Sequence, residues 1–357
     1  MKKTDYIGLA LLAFVLGCRY SVHLADFYAL KCYPVISATL SLPASLLPFS
    51  LEEIVVLAFA AAFIVITVQA FRRAEPRSGR RRAARWLGRT ARTAMWLTVW
   101  LYLGWAGNYF RTPLYQRIGV ERAAYGEDEA AFAGFLADYT ARLNADAPSE
   151  APALDKAALE ADIKAFYGSV MPGYGYTALR SWQHVKRPLI NPLYSAVGVL
   201  GFMGPFFCES QVNQDLKDGE YPFTLAHELA HLAGVTSEAE ANYWAYTYCT
   251  RSLEPSVRYC GRLEILGYVA SNARALLGAE AYESWASSLC DKALQDYDAS
   301  RAYWSAKRVK AFDAAQSWMM DLFLRSNRVS EGARDYFGVV GMIMTLDNWE
   351  KPREENL

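Results

Sequence analysis

His227, Glu228 and His231 follow one another as H-E-x-x-H in the stretch YPFTLAHELAHLAGVTSEAEANYWAYTY, Tyr221 to Tyr248. Residues four apart share one face of a helix, so both imidazoles can reach a single Zn2+ at about 2.0–2.1 Å. Glu228 then stands beside the open coordination position. A carboxylate there can take a proton from water and hand it to a leaving amine. The chemistry expected is peptide-bond hydrolysis with Glu228 as base and then acid. The competing reading is a helix with two core or solvated histidines. The chain holds only four His, which argues against a chance pairing.

A tetrahedral site asks for a third protein ligand. Glu238 and Glu240 compete for it. Ser237 followed three residues later by Glu240 forms a capping box, which gives Glu240 a structural task at a helix start. Glu238 is therefore the better ligand. Asn242, one turn beyond it, can hydrogen-bond a ligand from behind. Tyr243, Tyr246 and His184 are candidates to stabilise the oxyanion of a tetrahedral intermediate, against the plainer reading of the aromatics as core.

These side chains need two helices. Pro222 suits a first turn, and Leu225, Leu229, Leu232 and Ala233 supply an apolar stripe. Gly234 ends that helix and a second begins near Ser237. From Pro222 to Leu346 the chain reads helical nearly throughout, with breaks near Gly234, Pro255, Gly278 and Val329. Glu129 to Leu143 and Ala157 to Tyr167 also carry helical spacing, joined by the Pro/Ala-rich linker NADAPSEAPAL. Leu193 to Phe207 mixes β-branched, aromatic and Gly residues and predicts short strands. Gly201 to Asn213 is a candidate edge strand for an extended substrate, with Glu209 read as a solvated strand residue.

The segment Glu238-Ala-Glu240-Ala-Asn242 resembles the E-x-E-A-D segment of the membrane metalloendopeptidases that mature prenylated proteins and of their bacterial stress-induced relatives. That resemblance implies a zinc ligand at Glu238 and a supporting partner at Asn242. Two departures are present: the segment follows His231 by only seven residues, and Asn replaces Asp. The wider pattern is similar to a bacterial membrane family known as domain of unknown function 3810. CYPVIS at Cys32 to Ser37, LPFS at Leu47 to Ser50, NYFRTPL at Asn108 to Leu114, PFTLAHELAH and EAEAN carry that resemblance across most of the chain. It implies a membrane architecture and supports peptidase activity only through the motif.

The first 110 residues hold most of the apolar excess in a chain that is 53% hydrophobic. Ile54 to Phe71 is eighteen residues with only Thr67 and Gln69 polar. As a helix it spans about 27 Å, close to a hydrocarbon core of ~30 Å. A buried core helix is the alternative. Two further spans are expected, at about 6–20 and 93–109. A signal peptide competes for the first, but no small-residue cleavage site is evident. The Arg-rich stretch from Arg72 to Arg92 predicts a cytoplasmic loop, with the chain after residue 110 extracytoplasmic. A nucleic-acid patch is the other reading of an Arg run, and its place between two spans disfavours it. Lys+Arg and Asp+Glu are both 37, so net charge gives no reason for a polyanionic partner.

Six cysteines form no zinc-finger spacing. Cys249 and Cys260 are the nearest pair for a disulfide, with buried thiols as the equal alternative.

The expectation is a mainly α, zincin-like α+β fold: three N-terminal transmembrane helices (1–110), a mostly helical extracytoplasmic domain with a short edge sheet (111–347), and a tail (348–357). Its partners would be Zn2+, a peptide or protein substrate and the bilayer, without nucleic acid. The alternative is a non-catalytic membrane assembly protein in which zinc, or no metal, holds two helices together. Few intramembrane charges disfavour a transporter.

Overall fold

The computed structural model describes residues 3–72, 79–121, 129–148, 154–329 and 338–354. The chain is mainly helical and carries one two-stranded sheet among the described residues. It divides into two compact units. The first comprises residues 1–111, 180–189 and 203–211, and the second takes the remainder.

The first unit begins with α1 (Lys3–Tyr20). Ser21 is extended and caps α2 (Val22–Phe27) by accepting from the Leu24 amide. A π turn over Tyr28–Cys32 leads into α3 (Tyr33–Ser45). The α1 axis and the Val22–Ser45 axis meet at 114°. α4 (Leu51–Arg72) follows, then α5 (Gly79–Gly104). Gly8 of α1 packs closely on α5: a Cβ there would lie 2.4 Å from Met95 Cε, the mobile end of that side chain. Asp5 and Arg92 add an ion pair of 2.8 Å across the same contact.

Among the described residues, Leu51–Gln69 is the one single helix long and apolar enough to cross a membrane, and the bent pair Lys3–Tyr20 with Val22–Ser45 makes a second candidate. Three spans were expected, at about 6–20, 54–71 and 93–109. The third does not form one continuous helix, because α5 ends at Gly104 and a tight 3-10 turn occupies Ala106–Phe110. The Arg-rich stretch is also not all loop: from Gly79 onward it is helical, and residues 73–78 lie outside the described residues.

The N-terminus of α4 is held by a residue far along the chain. The Glu209 carboxylate accepts from the Leu51 amide at 3.2 Å and the Glu52 amide at 2.9 Å. Negative charge there offsets the positive end of the helix dipole and satisfies two amides that have no intrahelical partner. Lys186 pairs with Glu209 and also donates to the Phe49 carbonyl at 3.2 Å. Glu209 is 3% exposed, so it is a buried, paired anchor and not a solvated strand residue.

The second unit opens with α6 (Leu114–Ile118), α7 (Glu129–Asp146) and α8 (Lys156–Val170), then α9 (Asn191–Ala196). The hairpin strands are β1 (Gly201–Gly204) and β2 (Glu209–Val212), of which residues 203–211 count with the first unit. The remaining helices are α10 (Tyr221–Leu232), α11 (Glu238–Arg251), α12 (Pro255–Leu276), α13 (Ala279–Ala286), α14 (Asp291–Lys307), α15 (Lys310–Ser326) and α16 (Val339–Glu354). α16 therefore extends into the stretch expected to be a tail. α10 packs on α8, α11 and α12, while α7 and α16 close on α12. Leu225, Leu229, Trp244, Ile265 and Val269 are buried along these contacts. Each such aliphatic side chain contributes about 1.5–3 kcal/mol from burial. Tyr167 donates to the Ala226 carbonyl at 2.9 Å, tying α8 to α10. All six thiols are free, and Cys249 and Cys260 sit side by side as buried thiols.

Candidate metal centre

α10 ends in a turn that shapes the site. Gly234 has φ 104°, a conformation costly for any residue with a Cβ. The Val235 amide reaches back to the Ala230 carbonyl and the Gly234 amide to the His231 carbonyl, the two bonds of a Schellman ending. The turn aims the Val235 carbonyl at His231, whose Nδ1 donates to it at 2.8 Å. A carbonyl can only accept, so the proton sits on Nδ1 and the Nε2 lone pair is left for a ligand.

α11 begins at Ser237, whose Oγ accepts from the Glu240 amide at 3.3 Å. The Glu240 carboxylate accepts from the Tyr176 hydroxyl and lies 3.6 Å from Arg117, whose guanidinium stacks on the Tyr176 ring. Glu240 is thus drawn to α6 and the segment after α8, and Glu238 is the acid that joins the histidines.

His227, His231 and Glu238 form one group able to hold a metal ion, with ligand atoms within 4.8 Å of one another. The His227 and His231 Nε2 atoms are 3.0 Å apart, and Glu238 Oε2 lies 3.2 Å from the first and 3.5 Å from the second. His227 Nδ1 bonds Asn242 Oδ1 at 2.8 Å, which points its Nε2 inward too. Burial works to lower the His231 pKa, but the Glu238 carboxylate outweighs it and raises it to about 9. Burial works to raise the Glu238 pKa, and the two imidazoles hold it far below the usual carboxylate range.

Glu228 is 4% exposed, and its Oε2 is buried without a hydrogen-bond partner. Burial pushes its carboxyl up to about 7, His227 and His231 pull it back, and Glu238 adds to the rise. Gly201 closes over it: a Cβ at Gly201 would stand 2.3 Å from Glu228 Oε1.

Tyr243 and Tyr246 do not join this group. Tyr243 is buried against Trp244, turned about 140° around α11 from Glu238. Burial raises the Tyr246 hydroxyl, and the charges acting on it are Asp347, Arg262, Asp138 and Arg142, none of them in the group. His184 is exposed and belongs to the first unit. The hydroxyl near the group is that of Tyr268 on α12. Burial pushes it up to about 12, Glu238 and Glu264 add, and Asn242 opposes. Tyr268 lies thirty residues beyond Glu238 and carries no motif, so spacing gave no signal for it. Gly201 likewise announces nothing in sequence.

Residues 28–344 match the model of the family described as "Protein of unknown function (DUF3810)", and the chain belongs to that family. No curated protein and no solved structure matches.

Proposed function

We propose that the chain is a membrane-anchored zinc-dependent peptidase. The observation that carries this reading is the spacing of the three donors. A tetrahedral ion with ligands at about 2.0–2.1 Å has donors roughly 3.3 Å apart. The donors here are separated by 3.0, 3.2 and 3.5 Å. A calcium ion, with ligands at about 2.3–2.6 Å, would ask for a wider triangle and more oxygens. Two imidazoles and one carboxylate are also a donor set suited to zinc in hydrolytic sites.

Zinc, when bound, would supply Lewis acidity and lower the pKa of water at its open position to about 7. The chain's own groups do the rest. Asn242 and the Val235 carbonyl hold the imidazoles in the tautomer that leaves Nε2 free. Glu228 has an unpaired oxygen in a buried position, so it can take a proton from the attacking water. It then returns that proton to the nitrogen of the departing amine. Gly201 leaves the room that this carboxylate needs. The anchor would be Leu51–Gln69 with the preceding bent pair, and the arginine-rich stretch from Arg72 to Arg92 supports a cytoplasmic location for that side under the positive-inside rule. The second unit then acts outside.

The test is Glu228→Gln. This variant should keep one equivalent of zinc and lose hydrolysis of a peptide library by at least about 10²-fold. Retained hydrolysis would sink the assignment. A second reading has support from the way the ligands bridge α10 and α11: the metal would only pin two helices, and Glu228→Gln would then leave the cellular role intact while His227→Ala removed it.

A further inference from the structure

α11 and α12 pack on each other and are joined by residues 252–254 alone, so they run antiparallel. Leu253, at the tip of that connection, is 94% exposed. Just inside the tip, Cys249 in the last turn of α11 meets the second turn of α12, which carries Cys260 and Gly261. Two cysteines can be bridged only where their backbones come close. Gly261 supplies that closeness: a Cβ there would overlap the Cys249 Cβ and stand 3.5 Å from its Sγ. The Cys260 thiol and the Cys249 sulfur are hydrogen-bonding neighbours, and both side chains are fully buried.

A third helix reaches the same point. The Phe223 amide, in the first turn of α10 where amides lack an intrahelical acceptor, donates to the Cys260 sulfur. Phe223 is one turn ahead of His227, and Cys249 lies two turns beyond Asn242 on the same face of α11. The two sulfurs thus stand where the three helices around the metal group meet. Burial pushes the Cys260 thiol up and the neighbouring sulfur adds to the rise, so the thiolate that starts exchange forms when the helix ends open. The pair is within two turns of an exposed tip, where helices fray most readily.

We propose that Cys249 and Cys260 form a dithiol–disulfide couple, and that its oxidation locks α11 to α12. The oxidant is a disulfide, small or carried by a protein. One cysteine thiolate attacks it, which releases one thiol and leaves a mixed disulfide; the second cysteine then displaces the other half. Two S–H bonds are lost from the chain and one S–S bond forms. The two electrons and two protons leave with the oxidant as two thiols. The new bond closes the stretch 249–260 and so restricts the unfolded chain. The couple stands apart from the metal and the peptidase chemistry.

The experiment equilibrates the full-length chain with glutathione disulfide in excess over glutathione, quenches it in acid, then denatures it and alkylates the remaining thiols. Peptide mapping should find Cys249 joined to Cys260, with the free-thiol fraction of both down about tenfold from a reduced sample. The oxidised chain should melt several degrees above the reduced one. Cys249→Ala with Cys260→Ala should melt alike in both buffers. Mapping of the unaltered chain decides the couple whether or not that variant folds. Both thiols alkylated in the oxidised sample would overturn the couple, as would glutathione or a different cysteine on either sulfur. A bond between the two that leaves the melting temperature unchanged would overturn the lock.

Discussion

Gly201 and Glu228 touch: the first residue of β1 lies so close to the carboxylate on α10 that a Cβ would come within 2.3 Å of Oε1 and 2.5 Å of Cγ. The glycine sets where the carboxylate rests. Gly201→Ala should push Glu228 off its position while leaving His227, His231 and Glu238 in place. Zinc content should stay at one equivalent and hydrolysis should fall about 10²-fold, since a misplacement of about 1 Å has that order of effect. Metal analysis alongside turnover separates this from a loss of ligands.

Asn242 acts through His227. Asn242→Ala removes the acceptor at Nδ1 and should weaken metal affinity about 10–100-fold, with Asn242→Asp restoring most of it. Competition against a chelator of known affinity reads the difference.

Metal uptake should depend on pH through His231. In the metal-free protein its pKa is raised to about 9 by Glu238, so at neutral pH the ring carries a proton that the ion must displace. Affinity then falls as pH drops, by about tenfold per unit below 9, and binding at pH 7.5 releases close to one proton. Calorimetry in buffers of different ionisation enthalpy measures that proton. No release would mean that His231 is already neutral.

Glu264 makes a stability prediction free of the metal. Burial, with a smaller push from Glu220, raises its carboxyl from the usual 4.5 to about 8. Below pH 4.5 it is protonated in folded and unfolded chains alike. Between 4.5 and 8 the unfolded chain ionises while the folded one does not, so stability falls as pH rises. Glu264→Gln should behave like wild type at pH 4.5 and be more stable at pH 8 by on the order of a few kcal/mol. Melting curves at the two pH values decide it.

The Lys186–Glu209 pair should be costly to break from one side. Glu209→Ala leaves a buried ammonium and strips two amides of α4, a loss of about 3–5 kcal/mol. Lys186→Met together with Glu209→Gln should recover part of it. Equal melting temperatures for wild type and Glu209→Ala would contradict the burial of the pair.

What sequence disclosed was local. The four-residue spacing of His227 and His231, the Gly234 break and the Ser237 cap each concern neighbours along one or two turns, and helical geometry fixes such relations before any packing. What it missed was set at long range. Glu209 looked solvated because its partners lie more than 150 positions earlier, at Leu51 and Glu52. The destination of Glu240 depended on Tyr176 and Arg117, which no spacing joins to it. The Val235 carbonyl was invisible for a different reason: backbone atoms carry no sequence signal. The helix expected over 93–109 ends at Gly104, where a Cβ would come 2.2 Å from the Pro205 carbonyl oxygen, a contact that hydropathy does not register.

Glu209 also sets a timetable. The first unit needs residues 180–189 and 203–211, although its own run stops at Arg111. At about 5–20 residues per second of synthesis, roughly a hundred residues must emerge before that carboxylate exists to finish the start of α4. Until then the amides of Leu51 and Glu52 wait for their carboxylate acceptor. A nascent chain halted before Glu209 would therefore hold the helices of the first unit but not their final join. That unit is completed late, from a segment translated well after the helices it locks.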